Sequence, residues 1–210
     1  TAALNAAGAN TASVFANAID TRSRGIEGVL SYNFKFGSNQ SLNFSLAHSS
    51  IQNRLKRNAN GSITIHGSSV LINSGQLAKY VTRADVSRIE TQSPQTKDIL
   101  TIQYKIGKFG TLLRLAYFGK VTSLADTSSS PSVAPNPFDN NTIESLDQTF
   151  SAEVITDLSF SYSFNKTVTV NIGANNLLDV YPDKQIHYNN TSSGRFTYSR
   201  AVSQFGYNGR

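Results

Sequence analysis

The chain has 210 residues, a formal net charge of +6, 39% hydrophobic and 15% charged residues and no cysteine, which excludes disulfides and thiol chemistry. Such averages match an ordinary soluble domain, but they also match a membrane barrel, in which lipid-facing and lumen-facing residues cancel. No run approaches about eighteen consecutive apolar residues, so a transmembrane helix is excluded while membrane-crossing strands are not.

Thr1 to Ala16 are small and polar, with no basic region before an apolar core, so this stretch is no signal peptide, and an exported precursor is expected to begin upstream. A first strand is predicted over about Ile26 to Phe36. Ile26, Leu30, Tyr32, Phe34 and Phe36 lie on one side and Glu27, Ser31, Asn33 and Lys35 on the other. Gly37 to Gln40 turns the chain into a second strand from Ser41. There Leu42, Phe44 and Leu46 point outward and Asn43, Ser45 and Ala47 inward, and the alternation fades near Ile51.

From about Asn53 to Gln95 the sequence reads as a long polar connection. It holds two apolar patches, Ile63 to Ile65 and Val70 to Ile72, and a helical turn around Gln76 to Arg88. The third strand, about Ile99 to Ile106, sets Leu100, Ile102, Tyr104 and Ile106 against Thr101, Gln103 and Lys105. Gly107 to Gly110 closes it, and the fourth strand places Leu113, Leu115 and Tyr117 outward with Arg114 and Ala116 inward. A second long connection, about Val121 to Gln148, carries Ser128 to Pro131 and Pro135 to Pro137, which is turn chemistry.

The clearest alternation lies in the last hairpin, about Val154 to Asn175, broken by the two residues Asn165 and Lys166. One face holds Leu158, Phe160, Tyr162 and Phe164, then Val168, Val170 and Ile172; the other holds Asp157, Ser159, Ser161 and Ser163, then Thr167, Thr169 and Asn171. Residues this polar seldom line a packed core. Connections therefore alternate short and long, which predicts short periplasmic turns and long external loops, the third long loop running from Asp179 to Ser203.

Asn171-Ile-Gly-Ala-Asn175-Asn176-Leu177-Leu178-Asp179, followed by Tyr181-Pro182, resembles the penultimate strand of TonB-dependent outer-membrane receptors, with its G-x-x-N-L-F-D run. Thr21-Arg-Ser-Arg24-Gly25-Ile-Glu27-Gly28 resembles the T-R-G-x-E start of a descending strand in that family, and Arg88 to Lys97 the lead into the next. Gln204 to Arg210 is similar to the approach to the last strand. The resemblance implies an all-β fold, with residues 1 to 210 forming about six strands of an antiparallel transmembrane barrel of roughly 22. It further implies an outer-membrane location, contact with outer-membrane lipid, and uptake of a small nutrient such as a ferric siderophore, haem, cobalamin or glycan. The energy would come from a TonB-type coupling protein acting through an N-terminal plug. The chain shows neither a plug nor a coupling box, and the final strand is expected beyond Arg210.

No catalytic constellation, cofactor motif or metal-ligand spacing stands out. His48, His66 and His187 are far apart; His66 and His187 fall in predicted external loops, where a haem receptor could use them as axial ligands. Gly25 to Gly28 and Gly107 to Gly110 lack the spacing of phosphate cradles. The densest basic cluster, Arg54, Lys56 and Arg57, has no aromatic interleaving, so nucleic acid is not expected as a partner. Glu27, Lys35, Lys105, Arg114 and Asp157 face the lumen, where charge must be solvated or paired; they either contact a plug or substrate or simply keep the interior wet. Tyr32, Phe34, Phe36, Tyr104, Tyr162 and Phe164 approach the short turns, which suits an interfacial girdle, with an aromatic core cluster as the competing account. The competing architectures are a porin-like, secretion or adhesive barrel without energy coupling, and a soluble lipocalin-like barrel.

Overall fold

A computed structural model describes residues 19–66, 81–125, 133–136, 139–145, 147–185, 197–199 and 204–205. Six long strands form one antiparallel sheet: β1 (Thr21–Phe36), β2 (Gln40–Leu55), β3 (Thr96–Ile106), β4 (Phe109–Phe118), β9 (Glu153–Ser163) and β10 (Thr169–Ala174), adjacent in that order. Between β2 and β3 lies the helix α1 (Arg83–Glu90). Between β4 and β9 lie β5 (Val121–Ser123), β6 (Val133–Asn136), β7 (Asp139–Ser145) and β8 (Gln148–Phe150). The fold is thus all-β, as the alternation requires, and the sheet is open, with β1 and β10 at its edges among the described residues.

Because each pair runs in register without a bulge, the alternation of each strand extends across the whole sheet. Four apolar rows result on one face. Starting at the short turns they are Phe36–Gln40–Ile106–Phe109–Tyr162–Val170, Phe34–Leu42–Tyr104–Thr111–Phe160–Ile172, Tyr32–Phe44–Ile102–Leu113–Leu158–Ala174, and Leu30–Leu46–Leu100–Leu115–Thr156. Nothing among the described residues covers them: Leu30 is 63%, Phe160 54% and Ile172 72% exposed. A soluble domain does not leave so large an apolar face in water. The few buried apolar residues, Leu55, Ala116, Val121 and Phe150, lie toward the long-loop end, so among the described residues the sheet has no second layer.

The strands outrun the sequence reading at the long-loop end: β1 starts at Thr21 rather than Ile26, β2 reaches Leu55, and β3 starts at Thr96. Polar cross-strand pairs carry the ladder there, for example Ser23 Oγ donating to Asn53 Oδ1 at 2.6 Å. The turn after β3 is Gly107-Lys108, shorter than expected, because Gly107 takes φ +56° and reverses the chain in two residues. The last turn is longer than a two-residue break. Asn165 Oδ1 accepts from both Thr167 N and Val168 N at 2.8 Å, and Phe164 N donates to Val168 O at 3.0 Å. That Asx turn adds a residue yet keeps Phe164 and Val168 on the same face.

The second long connection is also more ordered than its prolines suggest. β5 pairs with β8 and β6 with β7, each antiparallel, and Val121 packs against Phe150 at the base of the first ladder.

Candidate functional site

The face opposite the apolar rows carries hydroxyls, amides and charges, as alternation dictates. Ser31 pairs with Ser45, Asn43 with Gln103 and Ser163 with Thr169 through side-chain hydrogen bonds across the strands. In the row Ser31–Ser45–Thr101–Arg114–Asp157, the last two residues are directly opposed. Arg114 Nε donates to Asp157 Oδ2 at 2.7 Å, and Nη2 of the same guanidinium reaches the same oxygen. Asp157 is 7% exposed, so this carboxylate needs further donors. Its Oδ1 finds one in Asn176 N at 2.8 Å.

The Asn175-Asn176-Leu177-Leu178-Asp179 run owes its form to that contact. Asn176 adopts φ +50°, a conformation asparagine tolerates. Its side chain accepts from Val180 N and donates to Val180 O, both at 2.9 Å, while Leu177 N donates to Thr156 O at 2.7 Å. Gly173, earlier in the run, lies so close to β9 that a Cβ would stand 2.6 Å from Ser159 Cβ and 3.0 Å from Leu158 O. The motif is therefore a clip fastening the outer end of β10 onto β9. Arg114, half exposed, lines a recess of about 200 Å³ with Ala116, Phe118, Ile155, Asn176 and Phe205. A guanidinium over apolar walls can take an anionic or planar polar group.

The other candidate residues fall in separate places. Glu27 accepts from Ser49 Oγ at 3.0 Å. Lys35 and Lys105 flank Ser41 in one row and line a 380 Å³ cavity at the short-turn end. His66 Nε2 lies 2.9 Å from Asp20 Oδ2, and His187, the other haem-ligand candidate, falls outside the described residues. His48 Nδ1 lies 2.5 Å from Asp98 Oδ1 just past the last apolar row. Among the described residues no three His, Asp or Glu side chains gather as a metal set.

Above the long-strand ends, α1 organises the loops. Of the helical turn expected around Gln76 to Arg88, residues 76–80 lie outside the described residues, and the helix Arg83–Glu90 starts where Thr82 and Asp85 form a capping box: Thr82 Oγ1 accepts from Asp85 N at 3.2 Å and Asp85 Oδ2 from Thr82 N at 3.1 Å. Arg83 forms a fork with Asp147, both contacts 2.5 Å, and Arg57 a fork with Glu90 at 2.7 and 3.1 Å. Buried Ser87 donates to Thr122 O at 3.0 Å and accepts from Leu124 N at 2.9 Å. One helix thus joins the end of β2, β5 and the residues just before β8.

Electrostatics follow the forks. The Arg83 hydrogen bonds hold Asp147 below the usual carboxylate range, and the Thr82 donors do the same for Asp85. Burial pushes Glu90 up, but Arg57 and Leu55 N outweigh it and its net shift is downward. Lowered native values mean that docking is at full strength above the ordinary carboxylate range, near ~4, and is lost as pH falls through the lowered values. Protease cleavage of the full-length protein between residues 53 and 95 is therefore expected to rise below about pH 4. Equal cleavage at pH 3 and pH 7 would show that these forks do not hold the loop.

Two features escaped the sequence reading. The lumen face carries an apolar row, Val29–Ala47–Ile99–Ala116–Ile155, seen only once register aligns five strands. The Asp157 to Asn176 contact joins residues with no mutual pattern, although the motif marked one end of it. The aromatic residues gather at the short-turn end except Tyr32, which lies in the third row. Phe109 contacts Tyr162 (centroids 4.6 Å), Tyr162 contacts Phe164 (4.8 Å), and Tyr104 Oη donates to Gln40 Oε1 (3.2 Å) at the short-turn rim.

A family model described as TonB dependent receptor-like, beta-barrel matches residues 1–177. No curated protein and no solved structure matches the chain.

Proposed function

The chain belongs to the TonB-dependent receptor-like β-barrel family, and on that premise we propose that residues 1 to 210 are the C-terminal portion of an outer-membrane barrel that takes up a small nutrient with energy from a TonB-type protein. The observation that carries this reading is the uncovered sheet itself, with four apolar rows on one face, hydrogen-bonded polar side chains on the other, and alternating short and long connections. Water can satisfy an open strand edge and hydrocarbon cannot, so β1 and β10 call for further strands and a closed barrel of roughly 22. Lumen charges such as Arg114 then face the passage of a ligand or the surface of a plug. Ferric siderophores, haem, cobalamin and glycans all remain in the candidate substrate class.

Topology offers the direct test, because the chain has no cysteine to give background. In cells carrying the full-length protein, single cysteines at Asn60 and Asp183 are expected to react with a membrane-impermeant maleimide. Cysteines at Ser38 and Lys108 should react only after lysis. The opposite pattern would invert the topology, and equal labelling at all four sites would remove the membrane-spanning reading.

A further inference from the structure

On the lumen face the aliphatic row Val29–Ala47–Ile99–Ala116–Ile155 runs between two polar rows, which start with Ser31, Ser45 and Thr101 below it and Glu27, Ser49 and Lys97 above it. Those polar neighbours satisfy one another: Ser31 Oγ donates to Ser45 Oγ at 3.2 Å, and Ser49 Oγ to Glu27 Oε1 at 3.0 Å. They leave the aliphatic row open, with Val29 74% exposed and Ala47 and Ile99 half-buried. Successive rows on one face stand about 7 Å apart, so the strip is one side chain wide. From Ala116 to Val29 it spans three strand spacings, about 14 Å. At Ala116 and Ile155 it runs into the 200 Å³ recess lined also by Arg114 and Phe205. Of the two charges lining that recess, only the guanidinium is open to it. The Arg114 side chain is 51% exposed, whereas Asp157 is 7% exposed, with its oxygens engaged by Arg114 and by Asn176 N. Lys97 and Glu153, on either side of Phe118 in the row above, balance each other in charge.

We propose that the recess and the row together bind a nutrient that carries an anionic head and an aliphatic acyl chain, the head on Arg114 and the chain laid along the row toward Val29. Charge selects the head. A guanidinium has five N–H donors, so Arg114 can hold Asp157 and still donate to a carboxylate of the ligand. Shape selects the tail, because a strip one side chain wide between polar rows accepts a single alkyl chain and not a planar macrocycle, and its burial against aliphatic side chains is favourable. Position separates this occupant from a plug. The row lies one residue beyond the outermost apolar row of the opposite face, on the long-loop side, where an arriving ligand meets it. A plug worked from the inner membrane faces the short-turn side, where the lumen rows carry Lys35, Ser41 and Lys105, then Asn33, Asn43 and Gln103.

The inference rests on the outer-membrane reading above and names the substrate class of that passage; the experiment separates the two. The full-length protein in lipid nanodiscs is irradiated with tetradecanoate bearing a terminal diazirine, and the adducts are located by peptide mass mapping. Val29 is expected to be labelled saturably, with excess unmodified tetradecanoate suppressing its adduct on the order of tenfold. Leu30, its neighbour on the lipid side, should be labelled from the bilayer in proportion to the probe. The methyl ester of the probe should label Val29 about tenfold less than the acid, since it brings no charge to the guanidinium. In Arg114→Gln the acid and the ester should label Val29 alike. Ile99→Asn, which interrupts the row, should lower the Val29 adduct roughly tenfold while the Leu30 adduct, the sign of an assembled barrel, stays at its wild-type level. Equal labelling of Val29 by acid and ester in the wild-type protein overturns the site. So does the absence of saturable labelling at Val29 while Leu30 is marked, and a plug is then what covers the row. Unsaturable labelling of Val29 at the level of Leu30 would place lipid on both faces and overturn the barrel reading itself.

Discussion

Leu158→Arg is expected to destabilise the assembled barrel by about 2 to 4 kcal/mol, whereas Ser159→Arg, one residue along the same strand, should stay within about 0.5 kcal/mol of wild type. The contrast follows from register. Leu158 sits in the third of four apolar rows, beside Leu113 on β4, which places it near the middle of the hydrocarbon. Ser159 points to the lumen face opposite Gly173, where the long arginine stem can carry its guanidinium past the close contact with β10 into water. Ile102 and Gln103 should repeat the pattern two strands away, since Ile102 shares the row of Leu158. Reversible unfolding of the full-length protein in lipid measures all four variants. Comparable losses within each pair would mean that both faces are buried, and a packed soluble fold would replace the barrel.

Asp157→Ala is the second large expected effect, about 2 to 3 kcal/mol, because it strands Arg114 and leaves the buried N–H of Asn176 without an acceptor. Exposure of the guanidinium on one side keeps the figure below that of a fully buried pair. Asp157→Asn should cost less, since an amide oxygen still accepts from Asn176 N. A double-mutant cycle with Arg114→Ala isolates the pair. Coupling indistinguishable from zero would show that the two residues are neighbours without being partners. Loss of the clip should also speed proteolysis between residues 175 and 185 before the sheet unfolds.

The strand cores were legible because lipid and water impose a strict two-residue period, and every outward position from Leu30 to Phe36 or Leu158 to Phe164 obeys it. The strand extensions were not, because beyond the apolar rows both faces meet water and the period disappears; Arg54 read only as part of a basic cluster and Arg22 as part of a strand-start motif until register set them opposite each other. Turn lengths missed by a residue or two for a local reason, namely that Asn165 spends its side chain on two backbone donors. The start of α1 was written in Thr82 and Asp85, a capping pair lost within a polar loop. Candidate-site residues were recognised singly, as lumen charges, but the pairing of Arg114 with Asp157, and the anchoring of Asp157 to Asn176, depends on long-range register that no local pattern encodes.

The docking of α1 also bears on how the sheet assembles. Hairpins β1–β2, β3–β4 and β9–β10 each close through a few residues, whereas joining one hairpin to the next closes a loop roughly ten times longer, an added entropic penalty of about 2 kcal/mol per junction. The hairpin, rather than the strand, is accordingly the unit expected to form first, with the junctions β2–β3 and β4–β9 zipping later. Through Arg57 to Glu90, Ser87 to Thr122 and Arg83 to Asp147, the helix joins the end of the first hairpin to both ends of the connection between the second and the third. It acts as a splint that shortens the effective loop at both junctions, so its loss should slow the order of assembly more than it weakens the finished sheet.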